Sequence, residues 1–200
     1  MKEPLLEPLL RRLRISQVVP YLSQYKDCRL LDIGCGWEAR LLKEVEPLIK
    51  FGVGIDLKAP DINSEKIKTS AVELFDKLPF KDNSFEFITM LAVLEHIEND
   101  AQILEECARV LTPGGGLFIT VPSKRAKPLL EFLSYKMKII NELEIRDHKR
   151  YYNKTDLIHL VQNVKGLILV RHKYFQLGFN NLVFLRSQSR SAQGSLPSIK

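Results

Sequence analysis

Short apolar runs alternate along the chain with segments in which apolar residues recur every three or four positions. The runs predict buried strands at residues 29–33, 52–56, 65–70, 84–91 and 116–121. The recurring patterns predict an N-terminal amphipathic helix at 3–25 and two further helices, at 37–49 and 100–111. Strands that alternate with helices are typical of an α/β fold with a doubly wound, mostly parallel sheet.

The pattern changes after residue 122. A long amphipathic helix is predicted at 124–143, and a second helix at 154–163 follows Asn153, a favourable N-cap residue. Two further strands, at 166–175 and 179–186, are separated by Leu177 and Gly178, which predicts an antiparallel C-terminal hairpin. We therefore predict a single domain over residues 1–186, followed by a Ser-rich, disordered tail at 187–200.

Composition narrows the class of protein only slightly. A chain of 200 residues that is 45% hydrophobic is large enough for one domain with its own core. The net charge of +6 permits an anionic partner without requiring one. Three cysteines without a CxxC spacing favour neither disulfides nor a zinc site, so we expect a reduced, cytoplasmic location. No apolar run approaches the roughly 18 residues of a membrane span, and no signal peptide is predicted.

The N-terminal helix has two interpretations. Its leucines and arginines at helical spacing suit a substrate cover or a contact with a membrane surface. They equally suit a helix that packs on the edge of the sheet, and we favour this second interpretation.

The segment 30–36, with the sequence LLDIGCG, carries the clearest chemistry. It predicts a buried strand that runs into a glycine turn, where the backbone of Gly34 and Gly36 allows a nucleotide-like ligand to approach closely. Asp56 ends the next predicted strand, 20 residues after Gly36. That spacing fits a carboxylate that binds ribose hydroxyls one βα unit later.

The charges around the turn indicate which ligand it binds. Residues 34–39 formally fit a dinucleotide pattern, but Asp32 precedes the turn and Glu38 falls in the first turn of the predicted helix. Two carboxylates would repel a diphosphate at a helix N-terminus. They suit a ligand with a cationic end, such as S-adenosylmethionine (SAM), which carries an ammonium, a sulfonium and no phosphate. Asp32 also has a purely structural interpretation, as an acceptor of N–H groups in the turn.

Four stretches together resemble the class I SAM-dependent methyltransferases, in the group of the ubiquinone and menaquinone biosynthesis enzymes. They are residues 31–36, 54–56 and 78–86, and the run from Leu94-Glu95-His96 to Arg109-Val110-Leu111-Thr112-Pro113-Gly114-Gly115. The resemblance implies a Rossmann-like sheet of seven strands with an antiparallel last strand. It also implies a substrate cover at 123–152. There are two departures from the family. Glu38 stands where the family usually has a third glycine, and Ser70-Ala71-Val72 stand where it often has an acid, so that Glu73 is the nearest carboxylate.

The resemblance and the residues together give a set of expected site residues. Those expected to bind the cofactor are Asp32, Gly34, Cys35, Gly36, Asp56, Leu57, Ser70, Ala71, Val72, Leu91 and His96. The expected catalytic residues are His96 and His148, because an imidazole removes protons near neutral pH. His96 has the alternative role of packing against the methionine end of the cofactor. The expected substrate residues are Arg150, Tyr151 and Tyr152, and no metal site is predicted.

These observations predict SAM-dependent methyl transfer to a small-molecule or lipid-like acceptor by in-line displacement. The alternatives are a binding module that keeps the fold without catalysis, an NAD-dependent oxidoreductase, and an RNA or protein methyltransferase. Nucleic acid is not an expected partner, peripheral membrane contact is compatible with the N-terminal helix, and no oligomeric state is predicted.

Overall fold

A computed structural model of the chain describes residues 7–73, 77–131 and 149–188. Its centre is one seven-stranded sheet with the order β3-β2-β1-β4-β5-β7-β6. The strands are β1 (Cys28–Ile33), β2 (Ile49–Asp56), β3 (Ile67–Ala71), β4 (Phe85–Leu91), β5 (Leu111–Pro122), β6 (Leu167–Phe175) and β7 (Asn180–Ser187). β7 runs antiparallel to both of its neighbours, and the other pairs are parallel. The predicted fold class is confirmed.

The described helices are α1 (Glu7–Leu22), α2 (Arg40–Val45), α3 (Asp100–Val110), α4 (Ala126–Glu131) and α5 (Lys154–Gln162). α2 is shorter than the predicted 37–49. Ala39 has a positive φ of 48°, which interrupts helical geometry before Arg40, and Pro47 lies in a 3-10 turn at Glu46–Leu48 that leads into β2. Glu38 therefore precedes the helix, and its predicted place in the first helical turn is wrong.

α1 packs across one face of the sheet and not along its edge, which corrects the interpretation that we favoured from the sequence. Tyr21 meets Phe118 of β5 and Phe184 of β7 with ring centroids 5.1 and 4.8 Å apart. Ile15 and Val18 are buried in the same apolar cluster. Aromatic side chains on β5 and β7 give this face more apolar surface than the sheet edge offers, and burial of that surface drives the packing.

The direction of α1 places its first half over the site. Just beyond its last turn, the Tyr25 hydroxyl donates to the Gly114 carbonyl, 3.2 Å away, toward the amino end of β5. Near its first turn, Arg11 donates to the Glu38 carboxylate at 3.1 Å, beyond the carboxyl end of β1. The helix thus crosses the sheet from the carboxyl edge to the amino edge, and residues 7–14 lie at the edge where ligands bind in such folds.

The C-terminal half matches most of its prediction. Asn153 caps α5, since its side chain accepts from the Asp156 N–H while the Asp156 carboxylate accepts from the Asn153 N–H. β6 and β7 form the expected hairpin, although β7 extends to Ser187, which the sequence analysis gave to the tail. α4 covers the start of the helix predicted at 124–143; residues 132–148 and 189–200 lie outside the described part of the chain.

Two further features concern the cysteines and the helices. Cys28, Cys35 and Cys107 are buried and free, as expected from their spacing. Across the described ranges, no helix combines the length and the apolar character that a membrane crossing requires.

Arg109, which lies in α3, holds the segment 78–82 before β4 against that helix. Its guanidinium pairs with Glu106 at 2.6 Å and Asp82 at 2.9 Å, and donates to the carbonyls of Leu78 and Phe80 at 3.0 and 2.7 Å. The two carboxylates raise the pKa of Arg109 above its ordinary value. Arg109, which precedes Pro113-Gly114-Gly115 in the sequence, therefore stabilises the fold.

We expect Arg109→Met to lower the free energy of unfolding by about 2 kcal/mol, because several charge-assisted hydrogen bonds are lost from a mostly buried site. Arg29→Met is the matched control, since Arg29 pairs with Glu86 at 2.6 Å but is 43% exposed. Exposed pairs contribute little, so the control should lose no more than about 1 kcal/mol. Urea unfolding of both variants measures the difference, and equal losses would contradict the anchoring role.

Candidate cofactor and acceptor site

Asp32 lies at the centre of the carboxyl edge, where the strand order reverses. It pairs in register with Gly54 of β2 on one side and Thr89 of β4 on the other. Its side chain is 3% exposed, and the Thr89 hydroxyl donates to its Oδ1 at 2.7 Å. Burial, with a smaller contribution from the charge of Asp56, raises the pKa of Asp32 to about 7, although the bond from Thr89 opposes the shift.

The glycine turn after β1 is held by the end of β2. The N–H groups of Gly34 and Cys35 both donate to the Ile55 carbonyl, at 2.8 and 3.2 Å. Gly34 and Gly36 have φ values of 76° and 68°, which glycine adopts without strain. A Cβ on Gly34 would lie 2.1 Å from the Val93 side chain, whereas a Cβ on Gly36 would meet no described atom within 4 Å. The turn is closed at Gly34 and open at Gly36.

Asp56 joins the turn to β2. Its Oδ2 accepts from the Gly36 N–H at 3.0 Å, and its Oδ1 accepts from the Lys58 N–H at 2.8 Å. Each carboxylate oxygen has two acceptor positions, so both retain capacity for a ligand hydroxyl. The predicted spacing of 20 residues therefore brings Gly36 and Asp56 into direct contact.

The other predicted cofactor residues lie along the same edge. Ser70 and Ala71 end β3 opposite Ile55 and Asp56, and both are exposed. Leu57 follows Asp56 and is 66% exposed, which leaves an apolar surface beside the carboxylate. Val72 is partly buried and its N–H donates to the Asp56 carbonyl at 3.0 Å.

Cys35 differs from the rest of the predicted set. Its thiol lies in the core under α2, since a Cβ on Gly54 would meet Cys35 Sγ at 2.9 Å. Burial raises the pKa of this thiol to about 12. The backbone of Cys35 lines the turn, while its side chain packs inward.

Glu38 does not add an unpaired negative charge to the site. Its carboxylate pairs with Arg11 of α1 at 3.1 Å and lies 3.8 Å from Arg40 of α2. The sequence argument against a diphosphate counted Glu38 as an uncompensated charge, and that part of the argument is wrong. The negative character of the edge comes from Asp32 and Asp56 alone among these acids.

The segment after β4 brings three further residues to the edge. His96 ends a 3-10 turn at Leu94–His96 and is partly buried. Glu95, which the sequence analysis left out of the expected site, is 1% exposed, and burial raises its pKa to about 8. Leu91 ends β4 and packs with the α1 side of the core.

The predicted substrate residues lie just before α5, and two of them form a polar cluster with Asp100 of α3. The Arg150 guanidinium lies 2.5 Å from Asp100, and the Tyr152 hydroxyl donates to the same carboxylate at 2.9 Å. Tyr152 is buried, and with Tyr151 it lines a cavity of about 420 Å³. His148 lies outside the described residues. Among the described residues, no cluster of three or more potential ligand side chains is arranged to bind a metal.

The carboxyl edge fits a nucleoside that carries a positive charge. An open glycine turn lets the ligand reach the backbone at Gly36, and Asp56 stands beside it with acceptor positions for ribose hydroxyls. Asp32 lies on the neighbouring strand, β1, and the approach of a cation lowers the pKa of its carboxyl group. The chemistry of these donors and acceptors suits SAM.

Comparisons with known proteins agree with this geometry. Residues 31–119 match the family described as the methyltransferase domain. A demethylmenaquinone methyltransferase of Lactiplantibacillus plantarum is 25% identical over 186 residues, which cover 86% of this chain and 78% of the relative. A ubiquinone biosynthesis O-methyltransferase of Saccharophagus degradans is 27% identical over 156 residues, or 70% of this chain and 64% of the relative. The chain thus spans just under two thirds of the second relative.

A solved structure shows the same fold. The S-adenosylmethionine dependent methyltransferase of Mesorhizobium loti aligns with a TM-score of 0.61 at 18% identity, covering 84% of this chain and 96% of that protein. The sheet order, the open glycine turn and the family match lead to one assignment. The findings support a class I SAM-dependent methyltransferase with S-adenosylmethionine as its cofactor.

Proposed function

We propose that the protein transfers a methyl group from SAM to a small-molecule or lipid-like acceptor by in-line displacement. The observation that carries the proposal is the pair of carboxylates, Asp32 and Asp56, on adjacent strands around an open glycine turn. The printed names of the relatives, which refer to demethylmenaquinone and ubiquinone biosynthesis, support an acceptor of this kind. A cytoplasmic location and peripheral contact with a membrane belong to the same proposal.

Each residue at the edge has a proposed role toward the cofactor. Asp56 accepts hydrogen bonds from the ribose hydroxyls while it holds the Gly36 N–H, and Asp32 attracts the ammonium group. Leu57 and the segment 70–72 flank the adenine by apolar contact, a hydroxyl and backbone groups, since Ser70, Ala71 and Val72 carry no acid. Because β4 lies beside β1, Leu91 and His96 stand at the methionine end.

When bound, SAM supplies an activated methyl group on a positively charged sulfur. The protein then has to hold the acceptor atom in line with that methyl and exclude water. The segment 123–152 is the proposed cover. Both of its ends are fixed at β5, because the Lys124 N–H donates to the Tyr152 carbonyl at 3.2 Å and the Ser123 hydroxyl donates to the Gly178 carbonyl at 2.7 Å.

A titration of the protein with SAM, followed by product analysis, tests the proposal against a non-catalytic binding module. Isothermal titration calorimetry measures binding, and mass spectrometry of reactions with quinol and phenol acceptors detects a mass gain of one methyl group. Binding together with methylated product supports the enzyme. Binding without product from any acceptor favours the module, and absence of binding heat at millimolar SAM contradicts the proposal.

We expect Asp56→Ala to weaken SAM binding at least about tenfold, or about 1.4 kcal/mol, because charge-assisted hydrogen bonds to the ribose and to the glycine turn are both lost. Asp61→Ala is the control, as it removes an exposed carboxylate from the connection that follows β2. Calorimetry gives both dissociation constants. An unchanged value for Asp56→Ala would contradict the ribose assignment.

Asp32 makes cofactor binding depend on pH. Its pKa of about 7 is lowered by a neighbouring ammonium, so binding releases a proton and becomes tighter as the pH rises. We expect the dissociation constant for S-adenosylhomocysteine to fall by up to about tenfold between pH 5.5 and 7.5. This ligand carries the ammonium without the sulfonium.

The Asp32→Asn variant should bind S-adenosylhomocysteine with little dependence on pH over the same range. Thr89→Val removes the hydrogen bond that favours ionised Asp32. The fall in the dissociation constant of this variant should therefore occur at a higher pH than in wild type. Calorimetry at several pH values gives the dissociation constants of wild type and of both variants. A wild-type profile as flat as that of Asp32→Asn would rule out the proposed contact with the ammonium.

His148 is proposed to lie beside the acceptor and not beside the cofactor. We expect His148→Ala to leave SAM affinity within about twofold and to reduce turnover by about tenfold or more, as general acid–base groups commonly do. Calorimetry and initial rates with the acceptor found by product analysis separate the two effects. Equal losses of binding and turnover would instead indicate a role in folding.

A further inference from the structure

Two buried polar atoms have no hydrogen-bond partner among the described residues of this region. They are Oε2 of Glu95, whose side chain is 1% exposed, and Oγ1 of Thr120, which is fully buried. A buried polar atom without a partner costs roughly 1–3 kcal/mol, and native proteins rarely keep one without a reason. Both atoms therefore point to a polar group that the protein binds.

Thr120 lies on the face of the sheet beneath α1, and Glu95 lies in a turn that contacts the same strand, β5. Thr120 is two residues from Phe118 on β5, so both side chains share a face, and Phe118 contacts Tyr21 of α1. Glu95 follows β4, in a 3-10 turn that packs against β5, and the charge of Arg14 on α1 acts on its carboxyl group. Both residues thus lie at the carboxyl edge, at the ends of the adjacent strands β4 and β5.

The backbone of Glu95 is fixed. Its carbonyl accepts from the Lys149 N–H at 2.8 Å and from the Arg150 N–H at 3.3 Å, which ties the turn after β4 to the segment before α5. The Arg150 guanidinium is engaged by Asp100 and the Glu98 carbonyl, so it does not neutralise Glu95. Arg14 from α1 is the charge that lowers the pKa of Glu95, against a larger rise from burial.

We propose that Glu95 takes the proton from a hydroxyl group of the acceptor, in a pocket beneath α1 where Thr120 also contacts that hydroxyl. The inference rests on the proposed methyl transfer and narrows it to oxygen as the methylated atom. Glu95 is chosen over its neighbour His96 because the Glu95 carboxyl is buried and has an unpartnered oxygen.

The proposed step balances as follows. A lone pair of the acceptor oxygen forms a bond to the methyl carbon, and the bond from that carbon to sulfur breaks with its electron pair passing to sulfur. The positive charge on sulfur is thereby neutralised. The hydroxyl proton moves to Oε2 of Glu95, its bonding pair stays on the acceptor oxygen, and Glu95 later loses the proton to solvent.

The cofactor prepares Glu95 for this role. Without a ligand, a carboxyl with a pKa of about 8 is mostly protonated at neutral pH and accepts no proton. A sulfonium at the end of β4 places a positive charge nearby, which favours the ionised carboxylate. Glu95 thus becomes a base when the methyl donor is present, with a pKa close to the pH at which the enzyme operates.

Proton release on ligand binding tests this coupling without turnover. SAM and S-adenosylhomocysteine share the ammonium that acts on Asp32 and differ in the sulfonium. Calorimetry at pH 7.5 in two buffers of different ionisation enthalpy gives the protons released by each ligand. We expect wild type to release about half a proton more with SAM than with S-adenosylhomocysteine. Glu95→Gln should lose that difference, and the exposed control Glu98→Gln should keep it.

The outcomes separate the inference from the proposed function. Failure of both ligands to bind overturns the proposed function. If both ligands bind and Glu95→Gln shows the same difference in proton release as wild type, the role of Glu95 is overturned. If His96→Gln loses that difference while Glu95→Gln keeps it, the titrating group is His96. Folding of Glu95→Gln is checked by urea unfolding at pH 8.5, where removal of a buried acid with a raised pKa should increase the free energy of unfolding.

A second experiment probes the hydroxyl contact. Catechol and its dimethyl ether, veratrole, are compared as probes by thermal shift on the S-adenosylhomocysteine complex. Wild type should be stabilised more by catechol than by veratrole, because only catechol donates to Glu95 and Thr120. Glu95→Met, which keeps the side-chain length without a carboxyl, should lose most of the preference. Equal shifts from the two probes in wild type would contradict a hydroxyl-binding pocket.

Discussion

The hydrogen bond from Thr89 to Asp32 is the interaction on which the site depends. It joins β1 to β4 at the point where the strand order reverses, and it partly compensates a carboxyl group that is removed from water. Because burial raises the pKa of Asp32 to about 7, the folded protein binds a proton there that the unfolded chain has released. The group therefore lowers stability progressively as the pH rises from about 4 through 7. A cationic ligand reverses this cost, which couples stability to cofactor binding.

The same physical pattern recurs one strand away. Glu95, like Asp32, is buried at the carboxyl edge with a raised pKa, and each faces a different part of the proposed ligand set. Asp56 differs because it is only partly buried and holds two backbone N–H groups. The carboxyl edge thus carries Asp56, which holds the turn, together with Asp32 and Glu95, whose ionisation depends on a neighbouring positive charge.

The sequence predicts the sheet well because its evidence is local. Buried strands give continuous apolar runs, and Asp56 could be placed by its spacing from Gly36. α2 was predicted too long because the left-handed conformation of Ala39 leaves no mark on hydrophobic periodicity. The pairing of Glu38 with Arg11 was missed for a different reason, since it depends on where α1 crosses the sheet and no local pattern encodes that path.

The acceptor side was the least predictable part of the site. Arg150 and Tyr152 have the residue types of an anion-binding cluster, but their contacts with Asp100 form only when α3 and the segment before α5 are brought together. Thr120 gave no signal of its own and Glu95 only its place in the Leu94-Glu95-His96 stretch, because the lack of a partner for a buried atom is a property of the folded state. Sequence spacing thus identified the cofactor edge, whereas packing revealed the two buried atoms that have no partner.

A crystal structure of the complex with S-adenosylmethionine tests the central claim most directly. The account predicts ribose hydroxyls within about 3 Å of the Asp56 carboxylate. It also predicts the ammonium next to Asp32 and the methyl group facing the α1 side of Glu95. A ribose bound away from β2, or a methyl group directed to the opposite face of the sheet, would contradict it.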